Sequence, residues 1–378
     1  MSELTKKQMI DIVQENIGHI KDKSFVIYFY VLDTKGNPSG SLEYIYQTAY
    51  TLKELGYNVV MLYDEDELIG VGDWFGQKYA DLPHKQVPKE GRKAEPIEMR
   101  ACDFVIIPEI FANVMISLKD KVPCKKIVLV QNYNWLCESM PMVATFQNLK
   151  INDIITTTET QKKILESYFP NMNIFVVSPS ISPMFRDNDK QRNLAINIIA
   201  RNQSDVHRIL KPFHWKYPVY NWVTFQDLRG MTQELFCEQL RNNAITIWID
   251  EESNFGYSAL EALRCGSIVL CKVPKKLTDW QIETDENGKI KMTDACIWFE
   301  DIDDVPDMLS SIIRTWTLDK IPEQVYKQQH KFDDYYSRDK QKNEIEYVYI
   351  KNIVEKRVKD FEEVLVQLKN NKEKEEKK

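Results

Sequence analysis

Glu261 lies five residues past Gly256 in the stretch SNFGYSALEALRCG, and the pair defines the most chemically suggestive spacing in the chain. Gly256 lets the backbone come close to a ligand. Asn254 or Ser253 can cap the helix that follows, which Tyr257 and Ser258 open. The first N–H groups of such a helix have no intrahelical acceptor, and with the helix dipole they make an anion site. Helical side chains lean toward the N-terminus, so the Glu261 carboxylate reaches back over the same ground. A group that accepts hydrogen bonds from sugar hydroxyls, next to a phosphate cradle, is what a nucleotide-sugar site requires. A simpler reading stays open: an acidic residue near a helix start is favoured by the dipole alone, by about 0.3–1 kcal/mol.

These residues need a scaffold, and the flanking sequence supplies one. AITIWI (244–249) is rich in β-branched and aromatic residues and reads as a buried strand, followed by the polar turn DEESNFG. About ten residues at helical spacing come next, with Leu260 and Leu263 on one stripe and Ala259 and Ala262 beside it. Gly266 stands where a helix takes a left-handed stop, and SIVLC is the next strand. Strand–turn–helix–strand is the repeating unit of a parallel sheet.

The stretch resembles the donor-site signature of the family 4 glycosyltransferases, which have two Rossmann-like domains facing across a cleft (the GT-B fold). Their pattern is Glu-x-Phe-Gly, four residues, then Glu-Ala and a small-residue-Gly turn. Phe255, Gly256, Glu261, Ala262 and Gly266 match in register. Ser253 stands where the family has its first Glu, with Glu252 one residue away. The resemblance gives Glu252 a place near the transferred sugar and Glu261 the nucleotide ribose. It also implies retention at the anomeric carbon and no required metal.

Composition bounds the alternatives. A chain of 378 residues with 43% hydrophobic and 28% charged residues is long enough for two soluble domains of ordinary size. No apolar run approaches membrane-spanning length and the N-terminus lacks a signal-peptide core, so a cytoplasmic protein is expected. The seven cysteines are scattered without metal-ligand or disulfide spacing. A net charge of −7 weakly disfavours a nucleic-acid partner.

The first half carries the same alternation. An amphipathic helix over 1–22, with Ile10, Ile12, Val13 and Ile17 as its apolar positions, precedes the strand SFVIYFYVLD (24–33). A glycine-rich turn leads into a helix ended by Gly56 and then the strand YNVVMLY. In the resemblance Ser39, Gly40 and Ser41 form a loop that approaches the ligand cleft; a plain tight turn between strand and helix explains them equally. Between 64 and 100 glycines and prolines interrupt the pattern, and a loop of that length is a candidate acceptor loop. Strands at 101–109 and 125–132 flank a helix near 111–118. QNYNWL (131–136) follows at a strand's C-terminal end, the crevice side of an open α/β sheet. Asn132 and Tyr133 can orient hydroxyls there, and Trp135 can stack on a sugar or serve as a core or rim aromatic. Many members of the family carry a His nearby; this chain does not. Thr158 and Glu159 start a further helix within 152–185.

The polar stretch 186–193 reads as a linker, and LAINIIAR (194–201) opens the second domain with Arg201 at the strand's end. In the family an Arg here and a Lys several residues on hold the donor diphosphate. Arg201 matches, and Arg208 and Lys211 are the nearest replacements for the Lys. Over 186–216 seven basic residues face three acidic ones, a local +4. Strand and helix follow at 217–228 and 231–243. Beyond the signature, 273–280 is a crevice-side loop and 283–301 a hairpin turning at Asn287–Gly288 and ending in CIWFE. Helices are expected near 304–317 and 322–332, then a long amphipathic helix over 336–368 and a disordered tail over 369–378. In the family that C-terminal helix returns to the first domain. The expected domains are therefore 1–185 for the acceptor and 194–335 for the donor.

The function implied is transfer of a sugar from a UDP- or GDP-sugar to an acceptor hydroxyl on a glycan, lipid, protein or modified nucleic-acid base, with Arg201 and Glu252 as the catalytic pair. No cofactor beyond that co-substrate is expected, and no metal: Asp301 and Asp303 have the spacing of a metal motif but follow a late strand in an acidic stretch. Alternatives are a hydroxymethylated-pyrimidine DNA glycosyltransferase of the same fold, a phosphorylase or epimerase, and a non-catalytic nucleotide-sugar-binding protein.

Overall fold

The computed structural model describes residues 5–32, 39–65, 70–89, 94–142, 144–188, 191–285, 288–316 and 332–376. The expected helix at 322–332 and the residue Asn287 of the hairpin turn lie essentially outside these. Contacts divide the chain into two units: residues 1–157, 162–178 and 342–378 form the first, and 158–161 with 179–341 the second. The chain thus changes unit after Ser178, ahead of the boundary expected at 185, and the stretch 179–185 joins the second unit.

Unit 1 is built on seven parallel strands: β1 (Val26–Tyr30), β2 (Asn58–Tyr63), β3 (His84–Gln86), β4 (Phe104–Pro108), β5 (Lys125–Val130), β6 (Asp153–Thr156) and β7 (Asn173–Val176), in the order β3-β2-β1-β4-β5-β6-β7. Strands such as β4 are buried at every position because helices cover both faces of the sheet. Those helices are α1 (Lys6–Lys21), α2 (Gly40–Glu54), the short α3 (Val71–Phe75) and α4 (Gln77–Ala80), α5 (Ala112–Ser117), α6 (Tyr133–Ser139) and α7 (Glu159–Tyr168). Gly56 ends α2 with φ +84°, as a helix stop requires. Along α1 the buried apolar positions are Ile17 and Ile20, whereas Ile12, expected on the apolar stripe, is 42% exposed. Thr158 Oγ1 accepts the Gln161 N–H (3.1 Å) at the start of α7.

Unit 2 carries five parallel strands: β8 (Asn193–Ala200), β9 (Thr224–Asp227), β10 (Asn243–Ile249), β11 (Ile268–Lys272) and β14 (Ile297–Phe299), in the order β14-β11-β10-β8-β9. The antiparallel pair β12 (Ile282–Thr284) and β13 (Ile290–Met292) stands apart as a hairpin, whereas CIWFE, expected as its end, supplies β14 of the parallel sheet. Alternate residues of each strand feed two cores. On one face Ile196, Ile198, Ile245 and Ile247 pack with Val206, Ile209 and Phe213 of α8 (Gln203–Lys216) and with Val305, Leu309 and Ile313 of α11 (Val305–Trp316). On the other, Trp248, Val269 and Cys271 pack with α9 (Gln233–Asn242), α10 (Tyr257–Arg264), Trp280 and Tyr336.

The C-terminal helix α12 runs over 338–376 in three parts: α-helical Arg338–Ile345, a π-helical Glu346–Val354 and α-helical Glu355–Glu376. From residue 342 it belongs to unit 1, where Tyr349 meets Phe29 and Lys21 pairs with Glu362 at 3.1 Å. The helix continues through Glu376, where a disordered tail was expected from 369. All seven cysteines are free thiols, and only Cys137 is exposed.

Candidate functional site

In unit 2 the connections from β8 and β10 leave in opposite directions along the sheet, through α8 to β9 and through α10 to β11. The crevice at the carboxyl ends of two such adjacent strands is where open α/β sheets bind ligands. Arg201, the first residue after β8, and Asp250, the first after β10, meet there: Arg201 Nε lies 2.8 Å from Asp250 Oδ1. Arg201 is half exposed.

The loop from Asp250 to Gly256 is fixed by its own side chains. Asp250 accepts the Glu252 N–H (3.1 Å), and Ser253 Oγ accepts the Gly256 N–H (2.9 Å). Gly256 itself is the N-cap of α10 at φ +79°, so neither Asn254 nor Ser253 caps in the expected way. A Cβ on Gly256 would stand 3.3 Å from the rings of Trp248 and Trp280. Close approach is therefore the reason for the glycine, but the neighbours are two tryptophans of the core rather than a ligand. Trp280 Nε1 also donates to the Phe255 carbonyl, and the Phe255 ring packs edge-on against Tyr257 and Tyr336.

The first intrahelical bonds of α10 run from the Ala259 and Leu260 amides to the Gly256 carbonyl (3.2 and 3.3 Å). The amides of Tyr257 and Ser258 precede them at the carboxyl edge of the sheet, where an N-terminus offers partial positive charge. Asn254 is 8% exposed, and its buried Nδ2 has no hydrogen-bond partner. A buried amide donor left unmade costs roughly 1–3 kcal/mol, which a ligand acceptor would recover. Glu261 is buried at 6% exposure in the second turn of α10.

Glu252 pairs with Lys275, a residue just beyond β11 that sequence reasoning had placed only as part of a crevice-side loop. The ion pair raises the Lys275 pKa. Lys272 pairs with Glu251 at 3.2 Å on the same edge. The C-terminal ends of β8, β10 and β11 thus carry Arg201, the α10 N-terminus and Lys275 side by side. Arg208 and Lys211 sit on α8, the helix that follows Arg201 and that the sequence pattern does not predict. Arg208 is held by Asp303 (2.8 Å) and Asp301 (3.8 Å), which accounts for those two acids. Lys211 is exposed, its Cα roughly 12 Å along the axis from the first residue of α8. The signal for α8 was the spacing of Val206, Ile209 and Phe213, masked by Pro212 and the charged residues between them.

In unit 1 the corresponding edge lies between β1 and β4. Gln131 Nε2 donates to the Ser41 carbonyl (3.1 Å), joining the start of α2, where Ser39 is the N-cap and Gly40 the first residue, to the end of β5. Asn132 caps α6 by accepting the Asn134 N–H (2.9 Å). Trp135 is 44% exposed, whereas Tyr133, expected at the cleft, is 7% exposed and packs in the core of the unit. Glu109 went unnoticed in the sequence. It follows β4, is 4% exposed, and accepts the Asn132 N–H at 2.8 Å. Burial pushes its pKa up to about 7 against the opposing backbone N–H groups of Gln131 and Asn132.

No family model matches the chain. A glycosyltransferase from Rickettsia africae superposes over 90% of this chain and 98% of its own length, at a TM-score of 0.52 and 11% identity. The fold is that of the GT-B glycosyltransferases. The pneumococcal O-GlcNAc transferase GtfA, in complex with UDP and GlcNAc, matches over 91% of this chain and 99% of that one at a TM-score of 0.49 and 9% identity. In sequence, the alpha-1,6-glucosyltransferase of Actinobacillus pleuropneumoniae serotype 7 (strain AP76) is 23% identical over 224 residues. That match spans 58% of this chain and 64% of the relative, so the chain covers less than two thirds of that enzyme's length. Among the described residues no helix is long and apolar enough to cross a membrane, and no cluster of three or more His, Cys, Asp or Glu side chains could hold a metal ion.

Proposed function

We propose that the chain is a family 4-like, retaining glycosyltransferase that takes a sugar from a UDP- or GDP-sugar and passes it to an acceptor hydroxyl without a metal ion. The observation that carries this reading is the pairing of Arg201 with Asp250, the first residue of the loop into α10, at the switch point of the unit 2 sheet. A guanidinium fork and a row of backbone amides are complementary to a diphosphate. Leaving-group charge would develop against donors already in place, and such preorganised donors lower a barrier by about 2.7–4 kcal/mol each. Lys275 replaces Arg208 and Lys211 as the second basic residue in this proposal, since it stands beyond the strand next to β10. Glu252 would sit near the transferred sugar and Glu261 would accept from the ribose hydroxyls. The start of α2 and the Gln131–Trp135 segment of unit 1 are assigned to the acceptor.

The test begins with thermal melting of the full chain in UDP, GDP, ADP and their sugars. A nucleotide at 100 times its Kd stabilises by about 2.7 kcal/mol. One nucleotide family should raise the melting temperature, and product analysis with that sugar should show transfer or slow donor hydrolysis with retained anomeric configuration and no loss in chelator. Binding without either reaction would instead favour a non-catalytic binding protein. No stabilisation by any nucleotide would remove the donor site.

A further inference from the structure

Unit 1 contains a cavity of about 510 Å³ at the opposite end of its sheet from the Glu109–Asn132 edge. Lys125 and Lys126 begin β5 and Asp153 begins β6, and a six-residue strand sets the two ends roughly 20 Å apart. The walls come from the turn after α5, the turn before β6, and Arg357 with Asp360 on α12. Six basic side chains (Lys119, Lys121, Lys125, Lys126, Lys150 and Arg357) face three aspartates, a local excess of +3 in a chain of net charge −7.

Two of the cations are neutralised by the wall itself. Lys125 pairs with the fully buried Asp153 at 2.8 Å, and Lys150 with Asp120 at 2.6 Å. Lys126 is different. It is 5% exposed, and its ammonium makes one long hydrogen bond, 3.4 Å, to the Lys119 carbonyl. An ammonium has three donors, and burying one that forms no ion pair is costly; desolvation lowers its pKa, with the nearby Asp120 opposing the shift. Beside it Arg357 donates through Nη2 to the Ala101 carbonyl (3.1 Å) and lies 4.3 Å over the Phe361 ring, while its Nε is buried without a partner.

We propose that this cavity is a binding site for a phosphate-bearing anion, distinct from the donor edge of unit 2. A phosphoryl group presents several ionised oxygens at once, and these match an ammonium and a guanidinium that line the same space. A carboxylate offers fewer acceptors for the same donors. The volume is in the range of small-molecule sites rather than of a bare ion. The phosphate belongs either to a free ester or to the headgroup of an acidic lipid.

The probe is inorganic pyrophosphate, titrated calorimetrically into the full chain carrying Arg201→Ala, so that the unit 2 edge does not compete, with ionic strength held by NaCl. Saturable binding is expected, weakened tenfold or more by Lys126→Met and substantially restored by Lys126→Arg. If Lys126→Met melts earlier than its parent, Lys119→Gln with Lys121→Gln on the accessible rim replaces it, with at least a threefold loss expected. Absence of saturable binding, or binding that ignores these substitutions, overturns the proposal. Flotation with phosphatidylglycerol against phosphatidylcholine vesicles then identifies the source. Lys126-dependent flotation assigns the phosphate to a lipid headgroup, and pyrophosphate binding without flotation assigns it to a free ester.

Discussion

Arg201 Nε stands 2.8 Å from Asp250 Oδ1, joining the ends of two strands that are neighbours in space but separated in sequence by α8, β9 and α9. The contact marks the switch point of the unit 2 sheet and ties the Arg that matches the family's phosphate motif to the first residue of the loop that leads into α10. If this edge holds the donor diphosphate, Arg201→Ala should lower kcat/KM by on the order of 100-fold or more. Arg201→Lys, which keeps charge but not the planar fork, should fall between. Steady-state kinetics at sub-saturating donor decides it, and near-normal turnover in Arg201→Ala would remove the assignment.

Glu261 is buried but has a proposed binding role, so affinity and folding must be separated. Glu261→Gln is expected to raise the donor KM about tenfold while leaving kcat within a factor of a few, the pattern of lost uniform binding. Isothermal titration with the bare nucleotide should show the same loss. Unchanged nucleotide affinity would make this carboxylate a structural group of α10.

Asn254 offers a cleaner probe, because its buried Nδ2 makes no bond that folding would lose. Asn254→Ala should change stability by no more than about 1 kcal/mol while weakening donor binding several-fold. Chemical denaturation and calorimetry report the two quantities independently. Large destabilisation with intact donor affinity would contradict the role given to this amide.

Gly256→Ala meets two penalties together: φ +79° and rings of Trp248 and Trp280 at 3.3 Å from the new Cβ. Left-handed strain and overpacking each cost about 1–3 kcal/mol. A loss of roughly 2–4 kcal/mol in a urea melt is expected. A change below half a kcal/mol would mean the turn relaxes freely.

Glu109 gives unit 1 a pH dependence of definite sign. The unfolded carboxyl loses its proton near 4.5, whereas burial holds the folded one to about 7. Between those values the folded state binds more proton, so stability is greatest at the acid end. It falls by about 1.4 kcal/mol per pH unit and levels off above the folded pKa, a total of roughly 3 kcal/mol. Glu109→Gln should flatten this slope. Parallel wild-type and variant curves of melting temperature against pH would exclude the assignment.

The alternation of apolar runs with amphipathic stretches was sufficient to read the central strands of both units and most of their helices. β4 and β10 are buried at every position and so are dominated by apolar residues, with Thr246 and Asn243 the polar exceptions in β10. β3 escaped notice because His84–Gln86 is a short, polar edge strand, and the nine-residue π segment of α12 has no local signature. α8 was hidden by Pro212 and by basic residues read as a phosphate patch.

Local sequence alone determined the strand–turn–helix unit around Gly256 and its glycine stops, because backbone conformation and burial periodicity are set by neighbours in the chain. Strand order, and therefore which loop ends share an edge, was decided only by tertiary structure. Arg201 with Asp250, Glu252 with Lys275, and Asn132 with Glu109 are contacts between distant segments. Their strength depends on distance and burial, and neither is encoded within any one segment's pattern.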